Sequence, residues 1–469
     1  MSGVDRRTFL IATAAVAGTS VGTANAAVPV FEHGVASGDP LPDGVLLWTR
    51  VVTSSPVEWE VSGDAEFTKI ARRGRVSTGA HRDYTVKVEV HGLRPGTRYW
   101  YRFRADGVVS PVGRTKTAPV DCSAARFGVV SCSNWMAGHF VPYGYLADRS
   151  DLDAVIHLGD YIYPHYQPVV RDAVPPHELI TLQDYRTRHA LYKTDPHLQR
   201  LHAAHPMIAT WDDNESADNS SALGAIGHDP ATEGPWAVRL AAATQAYFEW
   251  MPIREGLIFR RLRYGSLLDL TMLDLRSHRT PETIMGVRQR DWLARGICDG
   301  TARWRLIGTS VMFSPLAIPP NPLFPSKNVD QWDGFPADRE FVVRALERAG
   351  EKNAVFLTGD IHSSWAVDAL GVATEYITTS VTSDNFDEFL KVPPRTGSLA
   401  LEAAIMAHNP HVKFVELDSH GVSVLEVTPE EVRMDWFYTS DRANPDATMH
   451  KAHSWRTRYD TARVEPVLF

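Results

Sequence analysis

Residues able to bind metal ions follow four short apolar segments of the sequence, one set after each segment. Cys132 follows the first segment, and Asp160 and Tyr163 follow the second. The third segment leads into the acidic run 212–215, and the fourth into Gly-Asp-Ile-His. Each instance alone carries little weight, because Gly-Asp is a common turn and a single cysteine is usually a small buried hydrophobe. Four such placements in one chain indicate a shared site.

The third and fourth segments supply oxygen and nitrogen ligands. Asp213 and Asn214 lie in the acidic run, where clustered carboxylates are costly unless solvent or cations neutralise them. A solvated loop is the alternative interpretation of this run. Asp360 and His362 are two residues apart, and in an extended chain such side chains share a face. An extended chain can therefore place both side chains toward one ion.

The apolar segments are predicted strands of an α/β domain. After residue 118, apolar strands alternate with amphipathic helices, and strands of such sheets gather distant residues at their carboxyl ends. The predicted strands are Arg126–Val130, Ala154–Leu158, Met207–Trp211, Leu267–Leu273, Trp304–Gly308, Ala354–Thr358 and Glu375–Thr379. The predicted helices are Gln183–Lys193, Trp236–Trp250, Arg288–Ile297 and Asp338–Ala349.

Both ends of the mature chain are predicted to be β-structure. Residues 27–118 show short alternating segments and a Pro-Gly turn before an aromatic strand, which resembles a fibronectin-III-like β-sandwich. Near the C-terminus, Val412–Leu417, Val422–Val427 and Val432–Tyr438 are separated by turn residues. This spacing predicts an antiparallel meander.

The first 26 residues have the features of an export signal. Arg6-Arg7 precedes an apolar, alanine-rich stretch and the small-residue pattern Ala24-Asn25-Ala26. The apolar stretch is too short to span a bilayer comfortably, which favours a cleaved signal over a membrane anchor. The paired arginines resemble the twin-arginine signal. We therefore predict a secreted, periplasmic or cell-envelope protein that meets the twin-arginine translocation machinery during export.

The composition fits a chain of two domains after this signal. The 469 residues are too many for one ordinary core, and we place the domains at 27–118 and 119–469. The net charge of −8 gives no general attraction to nucleic acid, so no nucleic-acid partner is expected. The cysteines Cys122, Cys132 and Cys298 are too few for a disulfide framework, although one pair among them stays open.

Competing hydrolase motifs fail on their spacing. There is no Gly-x-Ser-x-Gly turn for a serine nucleophile and no Gly-rich phosphate loop with Lys-Ser or Lys-Thr. His177-Glu178 is followed by Thr181 where a zinc-protease motif needs histidine. Cys132 has Gly138 six positions later, where a cysteine-phosphatase loop needs arginine. A Cys132 nucleophile paired with an unidentified histidine stays open.

Seven motifs spread along the chain occur together in one order, and they are Gly34–Pro40, Leu47–Arg50, Ser131-Cys132, His157–Tyr163, Trp211–Asp213, Gly359–His362 and Asn409–His411. In these motifs and their order, the whole mature chain resembles the alkaline phosphatase D family, a branch of the calcineurin-like metallophosphoesterases. The resemblance implies an α/β (α+β) fold, with an N-terminal β-sandwich followed by a catalytic domain that has a two-sheet core flanked by helices.

The resemblance also implies the cofactors, iron(III) and calcium, with other divalent metals as alternatives. The residues implied to hold iron are Cys132, Asp160, Tyr163 and His362. The residues implied to hold calcium are Asp160, as a bridge, with Asp213 and Asp360. Anionic thiolate, phenolate and carboxylate donors suit a trivalent ion, and calcium prefers oxygen ligands.

The implied catalytic residues are Asp160, His362 and Asn214. Family members commonly carry histidine where this chain has Asn214, placed to protonate the leaving oxygen, so this departure puts leaving-group assistance in question. The expected activity is hydrolysis of phosphate mono- or diesters by metal-activated water or hydroxide, on small organophosphates.

Two alternative functions are also considered. A phospholipase D-like phosphodiesterase with phospholipid substrates is the first, and a non-catalytic cell-envelope binding protein is the remote second. The aromatic-rich stretch Pro315–Trp332 is interpreted either as an active-site lid or as an ordinary surface loop.

Overall fold

The computed structural model describes residues 29–318, 327–350 and 352–468. The predicted export signal, residues 1–26, and the middle of the predicted lid lie outside these ranges. Within the described ranges, no helix is both long enough and apolar enough to cross a membrane.

The described residues form three β-sheets with helices packed around them. The strands are β1 Val35–Leu41, β2 Gly44–Arg50, β3 Val57–Ser62, β4 Ile70–Val76, β5 Thr85–His91, β6 Arg98–Ala105, β7 Val108–Val109, β8 Gly113–Lys116, β9 Ala125–Val130, β10 Ala154–His157, β11 Met207–Ala209, β12 Arg260–Tyr264, β13 Leu268–Met272, β14 Trp304–Thr309, β15 Ala354–Thr358, β16 Ser364–Ala369, β17 Ala373–Ile377, β18 Val412–Glu416, β19 Gly421–Val427, β20 Glu431–Thr439, β21 Met449–Arg458 and β22 Val464–Pro466. The helices are α1 Val141–Asp148, α2 Leu182–Tyr192, α3 Pro196–Ala204, α4 Pro230–Glu233, α5 Trp236–Trp250, α6 Gly286–Asp299, α7 Pro336–Ala349, α8 Phe386–Leu390 and α9 Ser398–His408.

The four helices predicted from the sequence are confirmed as α2, α5, α6 and α7. Local signals explain three of their boundaries. Thr181 caps α2, where its side chain accepts from the backbone N–H of Asp184, whose own side chain reaches back to the N–H of Thr181. α7 begins at Pro336 and ends at Ala349, before Gly350, which has a φ of 74°.

The N-terminal strands form the predicted β-sandwich. Strands β3, β4, β6, β7 and β8 make a five-stranded sheet, and β1, β2 and β5 face it across a core that includes Val45, Leu47, Tyr101 and Phe103. β1, β2 and β5 also belong to the ten-stranded sheet β22-β21-β20-β19-β9-β10-β11-β1-β2-β5. One layer of the sandwich is therefore the end of the sheet that carries β9, β10 and β11.

The two-sheet core consists of that ten-stranded sheet and the seven-stranded sheet β12-β13-β14-β15-β17-β16-β18. Successive side chains of each central strand point to opposite faces of its sheet, and the two faces pack in different hydrophobic cores. Val129 of β9 packs with Leu306 and Leu357 of the other sheet, whereas Val130 packs with the helix residues Tyr143 and Leu146. Burial on both faces explains why these strands are continuous apolar runs in the sequence.

The predicted C-terminal meander is wrong in its first strand. β18 pairs antiparallel with β16 in the seven-stranded sheet, whereas β19 pairs with β9 and β20 in the ten-stranded sheet. Val412 and Val415 of β18 pack against Ile405 of α9, and Val422 of β19 packs in the core on the other side. The turn before Gly421 is therefore a crossing between sheets rather than a hairpin.

Candidate metal centre

The four predicted strand ends converge where the two sheets meet. β9, β10 and β11 are parallel neighbours in one sheet, and β15 lies in the other. The backbones approach so closely here that a Cβ at Gly359 would lie 2.8 Å from the Cβ of Ser131. A Cβ at Gly159 would lie 2.6 Å from the Cβ of Asp212. Glycine before each aspartate therefore lets the segments meet.

A first group of donor atoms surrounds Tyr163. Its hydroxyl donates to Oδ2 of Asp160 at 3.0 Å and lies 3.3 Å from Nε2 of His362. Ser383 Oγ donates to the same phenol oxygen at 2.5 Å. Ligand atoms of Cys132, Asp160 and His362 all lie within 4.8 Å of one another. The structure thus brings together all four residues expected to hold iron.

A second group of carboxylates shares Asp160 with the first. Ligand oxygens of Asp160, Asp212 and Asp213 lie within 4.8 Å of one another. The Asn214 side-chain amide donates to Asp160 Oδ2 at 3.1 Å and to Asp213 Oδ1 at 2.8 Å. Asp212, Asp213 and Glu215 are all buried, so the solvated-loop interpretation of this run is wrong. Asn214 lies where the two expected ligands Asp160 and Asp213 approach each other.

The backbone at Asp360 and His362 differs from the extended conformation that the spacing of the two residues suggested. Their φ angles are 65° and 46°, so the expectation of an extended chain is wrong. Cys132 and Asp160 also have positive φ, at 58° and 57°. Such left-handed conformations are uncommon outside glycine, and strained residues cluster at functional sites because surrounding contacts hold them there. Asp360 Oδ2 accepts from the side-chain amide of Gln331 at 2.8 Å.

The centre gathers acidic groups that do not ionise readily without a positive charge beside them. Burial, and then repulsion from Asp213 and other carboxylates, raises the pKa of Asp160 well above its usual range. Burial likewise raises the pKa of Asp213 to about 7, and raises the pKa values of the Cys132 thiol and the Tyr163 phenol. Bound cations would supply the missing charge and favour the anionic forms of these groups.

The surroundings of the histidine fix which ring nitrogen faces the centre. His362 Nδ1 lies 2.7 Å from the backbone oxygen of Asp384. A carbonyl oxygen only accepts, so Nδ1 carries the hydrogen and Nε2 presents its lone pair toward Tyr163 and Asp160. This is the tautomer that a metal-binding histidine needs.

Arg276 determines the role of Asp212. The guanidinium donates from Nε to Asp212 Oδ1 at 2.7 Å and from Nη2 to Asp212 Oδ2 at 3.1 Å. Both side chains are about 1% exposed, and Arg276 also pairs with Asp330 at 2.8 Å. Both Asp212 oxygens are occupied by this cation, so we assign Asp212 to support of the site rather than to the ligand set.

Glu215 organises the backbone of the centre. Its carboxylate accepts from the N–H groups of Asp160, Tyr161 and Asp212 at 3.1, 2.7 and 2.8 Å. It therefore ties the loop after β10 to the loop after β11. Sequence reasoning assigned no role to Glu215, Gln331 or Ser383, and of these only Glu215 lies in a segment that it singled out, the acidic run 212–215.

The donor set fits bound metal ions. Thiol, phenol, imidazole and carboxylate donors suit a trivalent or borderline ion at the first group, whereas the second group and Asp360 offer only oxygen from their acidic side chains. The carboxyl group of Asp160 belongs to both groups, so it is placed to contact an ion in either one.

The centre opens to a cleft of about 570 Å³. Asp360 and His362 line it together with Asn219 and the apolar side chains Phe386 and Phe389. Two of the six candidate ligands, Asp360 and His362, are therefore accessible to a small molecule.

A two-sheet core with candidate metal ligands at its strand ends fits a metal-dependent phosphatase. Residues 127–436 match the family model of the PhoD-like phosphatases, and residues 15–119 match the model of their N-terminal domain. The chain belongs to the PhoD-like phosphatase family and is a hydrolase of phosphoric esters.

Two similar proteins agree with this assignment. Alkaline phosphatase D of Bacillus subtilis (strain 168) is 33% identical, over 99% of this chain and 89% of that protein. A solved structure described as PhoD is 32% identical and superposes with a TM-score of 0.86, covering 95% of this chain and 93% of that one. The alternative of a non-catalytic binding protein is therefore wrong.

Proposed function

We propose that this chain is an exported phosphoesterase that hydrolyses phosphate mono- or diesters with water at a centre of two metal ions. The observation that carries the proposal is the convergence of Tyr163, Asp160 and His362 on one point, with Asp213 beside Asp160. Family membership supports phosphoester chemistry.

The two donor groups are proposed to hold different ions. Iron(III) would be held by Cys132, Asp160, Tyr163 and His362, and calcium by Asp160, Asp213 and Asp360. When bound, such ions would neutralise charge on a phosphoryl group and make hydroxide available near neutral pH.

Neighbouring residues hold the proposed metal ligands in position. The carbonyl of Asp384 holds His362 with Nε2 directed inward, and Ser383 donates to the phenol oxygen of Tyr163, which stabilises its anionic form. The side-chain N–H groups of Asn214 donate to Asp160 and Asp213, and we propose that they turn to a phosphoryl oxygen once metal ions occupy those carboxylates. An amide has no labile proton to give a leaving group at neutral pH.

The proposed substrates are small organophosphates outside the cytoplasm. This location rests on the paired arginines Arg6 and Arg7 and the small-residue pattern that follows them. A phospholipase D-like activity is the second candidate, because Phe386 and Phe389 line the cleft beside His362 and could contact an apolar group.

Hydrolysis of 4-nitrophenyl phosphate by the purified, metal-loaded chain tests the proposal. Asp160→Asn should lower kcat/KM by more than about 100-fold, since even partners behind metal ligands typically contribute 10–100-fold. Asp446→Asn, on an exposed turn, is the matched control and should keep full activity. Equal activity of the Asp160→Asn variant and the wild type would contradict the proposed centre.

A further inference from the structure

An apolar wall lies in the same cleft as the candidate metal ligands. Phe386 and Phe389 of α8 and Leu417 after β18 line the cleft together with Asp360 and His362. Phe389 exposes 65% of its surface, which is unusual for a large aromatic side chain. Phe386 is half-buried and Leu417 is 7% exposed, so Phe389 is the most exposed of the three side chains.

Ionic contacts fix the helix that carries the two phenylalanines. Glu388 of α8 accepts from the N–H of Asn385 at 2.8 Å. The same carboxylate lies 2.8 Å from Nε2 of His420 and 3.3 Å from Nε of Arg442. α8 is therefore anchored at its first turn by groups from two other parts of the chain.

The wall is also tied directly to the metal centre. The residue before the N-cap of α8 is Asp384, whose carbonyl accepts from Nδ1 of His362 at 2.7 Å. Arg442 pairs with the Asp384 side chain at 2.7 Å and so braces the same turn. The distance between the His362 ring and the phenylalanines is thus set by a short, hydrogen-bonded segment.

The size of the cleft indicates what occupies it. Cavities of roughly 300–1,000 Å³ accommodate whole organic ligands, and the 570 Å³ here exceeds what a phosphoryl group alone needs. A phosphoryl group beside Asp360 and His362 would leave its organic substituent next to the apolar side chains. Aromatic and aliphatic groups gain free energy when they leave water for such a surface.

We infer that Phe386, Phe389 and Leu417 form a specificity pocket for an apolar aryl or alkyl substituent of the phosphoester. This inference rests on the proposed function and narrows its substrate class. It predicts that substrates are discriminated by the apolar group attached to phosphorus through oxygen, whether that group comes from an aryl ester or from a lipid.

Two phosphodiesters that share a leaving group isolate the effect of the apolar substituent. Phenyl 4-nitrophenyl phosphate and methyl 4-nitrophenyl phosphate release the same 4-nitrophenolate, so their difference reports the other substituent. The wild type should favour the phenyl ester in kcat/KM, mainly through KM. Phe389→Ala should lower that preference about 3- to 10-fold, and Phe389→Leu should retain part of it. Val238→Ala, on the exposed face of α5 and also 65% exposed, is the matched control and should not change the preference.

A binding measurement separates failure of this inference from failure of the proposed function. Titration calorimetry with phenylphosphonate and methylphosphonate needs no turnover. Preferential binding of phenylphosphonate that Phe389→Ala abolishes would support the pocket even if the wild type hydrolysed neither ester. Equal preference in wild type and Phe389→Ala, in both hydrolysis and binding, would overturn the proposed pocket.

A lipid substrate identifies the source of the apolar group. Hydrolysis of dihexanoylphosphatidylcholine with the same Phe389 dependence would identify lipid as a source. A phenyl preference without hydrolysis of this lipid would identify aryl esters.

Discussion

Replacing Arg276 by methionine should destabilise the protein far more than replacing an arginine at the surface. Arg276 is about 1% exposed and pairs with Asp212, which is equally buried, and with Asp330. Methionine keeps much of the side-chain volume but leaves the Asp212 carboxylate buried beside Asp213 without its cation. Removing one partner of a buried ion pair typically costs about 3–5 kcal/mol. We expect the free energy of unfolding to fall by this amount.

Urea denaturation followed by tryptophan fluorescence measures this loss. Arg344→Met is the control, because Arg344 pairs with Glu340 on the exposed face of α7, where the two side chains are 55% and 64% exposed. That change should cost about 0–1 kcal/mol. If Arg276→Met remained within about 1 kcal/mol of the wild type, the assignment of Arg276 as the counter-charge of Asp212 would be wrong.

Three further substitutions test calcium binding, leaving-group protonation and the export signal. Asp360→Asn should raise the calcium concentration needed for half-maximal activity, because it removes a formal charge from the proposed calcium ligands. Asn214→His should improve alkyl esters by up to about 10²–10⁴-fold while changing aryl esters little, because only poor leaving groups need a proton. Replacing Arg6 and Arg7 together by lysine should leave folded, uncleaved precursor inside the cell.

Each of these predictions has a clear contrary result. Activity of Asp360→Asn with unaltered calcium dependence would remove Asp360 from the ligand set. Wild-type rates that do not depend on leaving-group pKa, with chemistry rate-limiting, would mean that another group supplies the proton that Asn214 cannot give. Normal secretion of the double lysine variant would indicate the general secretory route.

The strand ends were predictable from signals that are local in sequence. A continuous apolar run predicts a strand buried on both faces, and the Gly-Asp step after two of these strands predicts a turn. Residues such as Asp160 and Asp360 follow such runs directly. Their convergence then follows from the rule that sites form at the carboxyl ends of strands.

Contacts between distant segments were not predictable in the same way. Arg276 and Asp212 are 64 residues apart, and nothing local to either residue indicates the pair. The positive φ of His362 likewise depends on packing between the two sheets, so a rule for extended chains was wrong there. Local spacing also suggested a hairpin before Gly421, because it does not show which sheet each strand joins.

The most direct test of the proposed centre is elemental analysis of protein purified without added metal salts, together with its visible absorption spectrum. We expect iron and calcium in roughly equal amounts, and a violet to brown colour from charge transfer between the Tyr163 phenolate and iron(III). Tyr163→Phe should lose this band while keeping its fold by circular dichroism. A colourless, fully active wild type that contains only zinc would contradict the assignment.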